Sequence, residues 1–163
     1  MAIQDDFCCP GNGSLTYGAA MKLLPKVLIG VGAVVVIAQL VRPTMDNPPV
    51  TGDIKVPAEV APLLKRACYD CHSNETKWPW YSNVAPVMWI VAHDVEHGRK
   101  HLNFSVWESY EEGRKLKKLK EIAEEVEENE MPLGIYVTMH GDAKLTEAEK
   151  KTIVEWAEGA GGK

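Results

Sequence analysis

Between residues 68 and 72 the chain reads Cys-Tyr-Asp-Cys-His, and no other stretch limits its chemistry and fold as strongly. Two thiols two residues apart, with an imidazole directly after the second, can hold zinc, cycle as a dithiol or fasten a porphyrin. A structural zinc site needs a second Cys or Cys/His pair at ligand spacing, and none follows. A thioredoxin-like pair needs a preceding strand in a βαβ setting, whereas residues 58–67 read as helix. The porphyrin reading uses every residue. Cys68 and Cys71 add across two vinyl groups of one macrocycle as thioethers, and His72 puts an imidazole nitrogen on its iron. The motif therefore predicts one covalent haem c per chain, an iron cofactor.

The rest of the chain must house such a group. Its 163 residues suit one small domain plus an extension, and its apolar residues are unevenly spread. They run almost unbroken from Leu23 to Val41, about the length of a bilayer core, with Lys26 able to snorkel. Lysines precede the run and Arg42 follows it, a small positive-inside bias. Two readings compete, a cleaved signal and an uncleaved single-span anchor. No A-x-A site precedes a polar mature start, which favours the anchor. Either way, residues after 43 lie outside the cytoplasm.

Residues 1–20, with adjacent Cys8 and Cys9, have no periodicity, and Met21-Lys22-Leu23-Leu24-Pro25-Lys26 reads as an alternative start. The expected organisation is an extension over 1–20, a transmembrane anchor or signal over 21–42, a linker over 43–56 and an all-α domain over 57–160. The linker is marked by Pro43, Pro48, Pro49 and Gly52, and Pro57 fits the first turn of the helix leading to the motif. Beyond residue 45 the chain holds 15 Lys/Arg against 21 Asp/Glu. That excess of acid lacks the basic footprint of a nucleic-acid binder.

After His72 comes an aromatic loop. Trp78, Trp80 and Tyr81 are expected to wall the macrocycle, or else to cap a small core. The carbonyl of Pro79 or Pro86 is expected to accept from the second nitrogen of His72. A helix is predicted from Pro86 to about Gly98, where the glycine interrupts it. His93, His97 and His101 follow at four-residue steps, but no carboxylate completes a metal site, so a solvent-facing role is expected. Ser105-x-x-Glu108 reads as a capping box opening a long charged helix to about Glu128. Its apolar stripe is Leu116, Leu119, Ile122, Ala123 and Val126. The charge block reads as a solvated face, with docking to a redox partner as the alternative.

Met131, before Pro132, is a candidate sixth ligand, because a thioether is a soft donor for haem iron; core packing is its other reading. Met88 and Met139 are rivals that core packing explains. Residues 134–140 read as apolar loop or extended chain. Thr146-x-x-Glu149 is a second capping box, opening a last helix to the glycines after Glu158.

The run Cys68-Tyr69-Asp70-Cys71-His72-Ser73-Asn74, with Trp78-Pro79-Trp80-Tyr81-Ser82, Ala85-Pro86, Val91-Ala92-His93-Asp94-Val95, Gly98-Arg99, Leu102-Asn103-Phe104-Ser105 and Met131-Pro132-Leu133, resembles the haem-binding domain proteins of bacteria. These fall within the broader class of single-haem cytochromes c. The resemblance covers about residues 44–160, and the apolar stretch ending Arg42-Pro43 looks like that group's anchor. The N-terminal extension departs from the pattern. The resemblance implies a small cytochrome c-like helical domain with haem c on Cys68 and Cys71, iron on His72 and Met131 as sixth ligand.

The function expected on this basis is electron transfer by a membrane-anchored carrier, periplasmic in its haem domain, on the outer face of the cytoplasmic membrane. Redox proteins would be its partners, and no small-molecule substrate is indicated. Two alternatives stay open. One is a haem sensor or peroxidase-like enzyme with a displaceable distal ligand, where His93 or His140 moves a proton. The other is a haem-stabilised subunit of a respiratory complex.

Overall fold

Helix is the only regular structure in the computed structural model among the residues it describes, 14–162, with side chains described from residue 21. The all-helical expectation holds there. The chain divides into two units, one ending at Val41 and one beginning at Arg42.

The first unit is helix α1, Ser14–Ala38. Its window Met21–Ala38 has mean hydropathy 2.0, and none of it is buried. That is long and apolar enough to cross a membrane. Cys8 and Cys9 lie outside the described residues.

The second unit begins with a strap rather than a free spacer. Residues 44–50 have no regular structure, yet they are bound down. The Arg99 guanidinium donates to Asp46 O at 2.9 Å, to Asn47 Oδ1 at 2.8 Å, and to Ser73 O and Thr76 Oγ1 at 2.8 and 2.9 Å. Further on, Ile54 N donates to Phe104 O at 3.1 Å and Ile54 itself is buried. The strap is thus fixed to the chain just after His72.

Helix α2, Ala61–Ala67, starts later than its sequence suggests. Pro57 O accepts from Val60 N and Ala61 N in a turn, and Pro62 takes the first-turn position. Cys68 breaks the axis at φ −125°, ψ −36°, and helix α3, Tyr69–His72, follows as a single turn. Helix α4, Val87–His101, is not interrupted at Gly98 but runs through it.

The long helix expected from Ser105 starts only at residue 112. A 3-10 segment, Phe104–Ser109, comes first, with Val106 out of helical geometry. The capping box fails because tertiary partners take its groups. Ser105 Oγ accepts from Asn74 N at 2.9 Å, and Glu108 N donates to Gly52 O at 3.1 Å. Helix α5, Glu112–Glu127, then presents most of the predicted apolar stripe, with Leu119, Ile122, Ala123 and Val126 buried but Leu116 exposed. Its lysines pair with glutamates one turn away, Lys115–Glu112 at 2.9 Å and Lys120–Glu124 at 3.3 Å. Such exposed pairs add a few tenths of a kcal/mol each.

Residues 134–139 form helix α6, Gly134–Met139, instead of a loop. Helix α7, Glu147–Gly161, opens with the capping box read from sequence: Glu149 N donates to Thr146 Oγ1 at 3.3 Å, and Glu149 Oε2 accepts from Thr146 N at 2.8 Å.

α5 and α7 pack together over Leu119, Ile122, Val126, Ile153 and Ala157, and this cluster continues through Val60, Leu64 and Phe104. Ile153 is fully buried within it. Removing its branched side chain leaves a cavity that rigid neighbours cannot close. Ile153→Ala should therefore lower unfolding stability by about 2–5 kcal/mol, read from the midpoint shift in a denaturant titration.

Candidate functional site

The single turn at residues 68–72 puts its reactive side chains on one face. His72 N and Cys71 N both return to Cys68 O, at 2.9 and 3.2 Å. Side chains three and four residues apart on such a turn are neighbours. Cys68, Cys71 and His72 all line one cavity of ≈ 440 Å³, within the usual range for a small-molecule or cofactor site. Phe104, Ile122 and Val126 give that cavity apolar walls, and Met131, Leu133 and Tyr136 close another part of it.

His72 is held by α4. Its Nδ1 lies 3.0 Å from Gly98 O and 3.1 Å from Leu102 O. Both partners are carbonyls, so Nδ1 carries the hydrogen and Nε2 keeps the lone pair. Burial holds the imidazole below the usual histidine range, against the opposing pull of those two carbonyls. The ring is therefore neutral at pH 7, the form that ligates a metal.

The carbonyls expected to orient His72 are occupied elsewhere. Pro79 O accepts from Ser82 N and Oγ, and Pro86 O from Trp89 N. The chosen carbonyls belong to the last turn of α4, which a glycine lets approach. A Cβ on Gly98 would sit 2.6 Å from Cys71 O and 3.1 Å from Cys71 Cβ. Gly98 is thus the contact point between α4 and the cysteine turn, not a helix breaker.

Cys68 is pushed up to about 12 by burial, with the neighbouring Cys71 adding. Cys71 is pushed up to about 11 by burial, then by Asp70 and Asp94, with Arg99 opposing. Both are protonated thiols at neutral pH. They differ from the low-pKa thiolates of redox dithiols. Among the described residues no group of three or more His, Cys, Asp or Glu side chains is placed to hold a metal ion.

Met131 reaches the cavity through the end of α5. Asn129 turns the chain at φ 65°, a left-handed conformation that Asn tolerates at a helix terminus. Glu130 N and Met131 N then both donate to Glu125 O at 3.0 Å. The reversal carries Met131 back beside Val126, and Pro132 follows it. Of the rival methionines, Met88 is fully buried in α4, whereas Met139 is exposed and not in the core.

The aromatic loop does not wall this cavity. α4 has two working faces. Asp94, His97, Gly98 and His101 line the cavity, while Ala92, Val95 and Arg99 line a separate recess that contains Trp78. The Arg99 bonds to Ser73 and Thr76 draw the loop toward that second face. Trp80 is 78% exposed, and the Tyr81 hydroxyl lies 3.3 Å from His140 Nε2. His93 and His140 are likewise absent from the cavity lining.

Several residues at the site carried little signal in the sequence. Gly98 inside an apolar helix pattern was one available hint, because such a glycine often marks a close backbone approach. The contributions of Leu102 O, Lys118 and Tyr136 had none. Gly98→Ala should force α4 away from Cys71 and loosen the His72 carbonyl bonds. We expect a loss of about 1–3 kcal/mol, measured by thermal or denaturant unfolding of the purified protein.

Comparison with curated proteins and with solved structures gave no match. The family model for the haem-binding domain matches residues 31–159, from inside α1 to near the end of α7, and the chain belongs to that family.

Proposed function

We propose that this haem-binding protein holds one haem c, fastened through Cys68 and Cys71, with His72 and Met131 as its two axial ligands. One observation carries the reading: both thiols, a neutral imidazole with a free Nε2 and a thioether meet on a single largely apolar cavity. The donor set suits the group. A nitrogen and a soft sulfur are the ligand pair that raises the potential of a haem into the electron-transfer range. When bound, the haem supplies a one-electron redox couple.

The chain's own residues do the rest. The carbonyls of Gly98 and Leu102 orient His72 and raise its basicity. Phe104, Ile122 and Val126 exclude water. Asp94, His97, His101, Lys118, Glu121 and Glu125 form the polar part of the lining, and of these Lys118, His97 and His101 would be the donors for a group that carries carboxylates.

With His72 and Met131 both holding the iron, the haem would offer no open position to a substrate, which favours electron transfer over catalysis. The histidines named for a peroxide- or gas-binding alternative, His93 and His140, do not line the cavity, whereas His97 and His101 do. α1 serves as a single-pass tether in the cytoplasmic membrane, with the haem domain on its outer side. Redox proteins of that membrane are its partners.

The purified protein should keep one tetrapyrrole mass per chain after denaturation, and its spectrum should be low-spin in both oxidation states. Met131→Ala should convert the spectrum toward high-spin and lower the reduction potential. Haem extracted by acid and organic solvent, or an unchanged Met131→Ala spectrum, would overturn the assignment.

A further inference from the structure

The cavity has one wall that the hydrophobic core does not hold. Residues 131–140 supply Met131, Pro132, Leu133 and Tyr136 to its lining. Yet α6 buries none of its residues, and Ile135 and Met139 are 75% and 59% exposed. A helix of six residues is too short to stand on its own backbone hydrogen bonds.

Its fastening is polar instead. Tyr136 Oη donates to Asp70 Oδ2 at 2.8 Å. The Tyr136 ring stacks on His140 with centroids 4.2 Å apart. His140 Nδ1 donates to Tyr136 O at 3.1 Å, which leaves Nε2 to accept from the Tyr81 hydroxyl at 3.3 Å. Asp70 is itself fixed, because its Oδ1 accepts from Lys77 N at 3.0 Å. It stands between the two cysteines, on the turn that carries His72.

We propose that the Tyr136–Asp70 hydrogen bond fastens the Met131 segment to the haem-attachment turn, so that retention of the sixth ligand is set by a carboxylate inside the Cys-x-x-Cys-His motif. This rests on the assignment of Met131 made above. Tyr136 and Asp70 are positioning residues. A bond from a hydroxyl to a carboxylate is stronger than one between neutral groups, and here it joins two segments 66 residues apart in sequence. With the bond gone, the segment has little buried surface to resist local opening, and Met131 leaves with it.

The test uses the full-length, haem-loaded protein. Tyr136→Phe keeps the ring and its stacking on His140 and removes only the hydroxyl. It should speed amide hydrogen exchange over residues 131–140 by about tenfold or more. It should also weaken the sulfur-to-iron charge-transfer band and accelerate carbon monoxide binding to the reduced form. Asp70→Ala should do the same, and Tyr136→Phe added to Asp70→Ala should change nothing further.

Unchanged exchange in Tyr136→Phe, or fully additive effects in the double variant, would overturn the fastening. Faster exchange with the charge-transfer band intact would overturn its link to ligand retention. Met131→Ala, measured alongside, separates the two readings: if it leaves the spectrum unchanged, Met131 is not the ligand, while the exchange data still decide the fastening.

Discussion

The site depends on two backbone carbonyls converging on one imidazole nitrogen. Gly98 O and Leu102 O both face His72 Nδ1, and this fixes the tautomer, the ring direction and the exposed lone pair together. The arrangement requires α4 to press against the cysteine turn more closely than any side chain would permit. Phe104 supports it from another side, stacking on Tyr69 at 5.2 Å and meeting the His72 ring edge-on at 6.5 Å. Asn103 and Asn74 complete the support: Asn103 Nδ2 donates to Asn74 Oδ1 at 2.8 Å, and Asn103 N donates to Tyr110 Oη at 3.0 Å. The nitrogen ligand thus sits in a frame whose polar groups are paired and whose apolar groups are buried.

The sulfur is delivered differently. Met131 comes from a helix terminus whose last carbonyls are claimed by a chain reversal, followed by a segment with little apolar anchorage. On the ligation proposed above, a firmly framed imidazole and a lightly held thioether would give the two faces of the haem unequal mechanical support. In the electron carrier proposed, this asymmetry would keep the covalent side constant while leaving the other side tunable.

Features set by local chemistry could be read from the sequence. The apolar run of α1 follows from composition alone. The capping box at Thr146 needs only residues three apart, and nothing nearby competes for them. The cysteine and histidine spacing dictates one helical face whatever surrounds it. Features set by distant partners could not. Ser105 has the same local signature as Thr146, but Asn74 and Gly52 capture its groups and delay the helix to residue 112. The carbonyls that hold His72 lie 26 and 30 residues away, at Gly98 and Leu102 rather than at Pro79 or Pro86. Trp78, Trp80 and Tyr81 sit close to the motif in sequence, yet none lines the cavity: Trp78 lines the recess with Arg99, Trp80 is exposed, and Tyr81 meets His140. Proximity along the chain was a poor guide wherever a helix could stand between two neighbours.

The Arg99 grip on Asp46 and Asn47 has a bearing on how far this molecule can travel. Arg42 is held as well, its guanidinium donating to Asn83 Oδ1 at 3.4 Å, so only residues 39–41 separate the end of α1 from the body of the domain. At full extension those residues measure roughly 10 Å. With α1 as the tether proposed above, a haem domain on so short a leash would not shuttle freely, and the electron donors it met would be those beside it at the same bilayer.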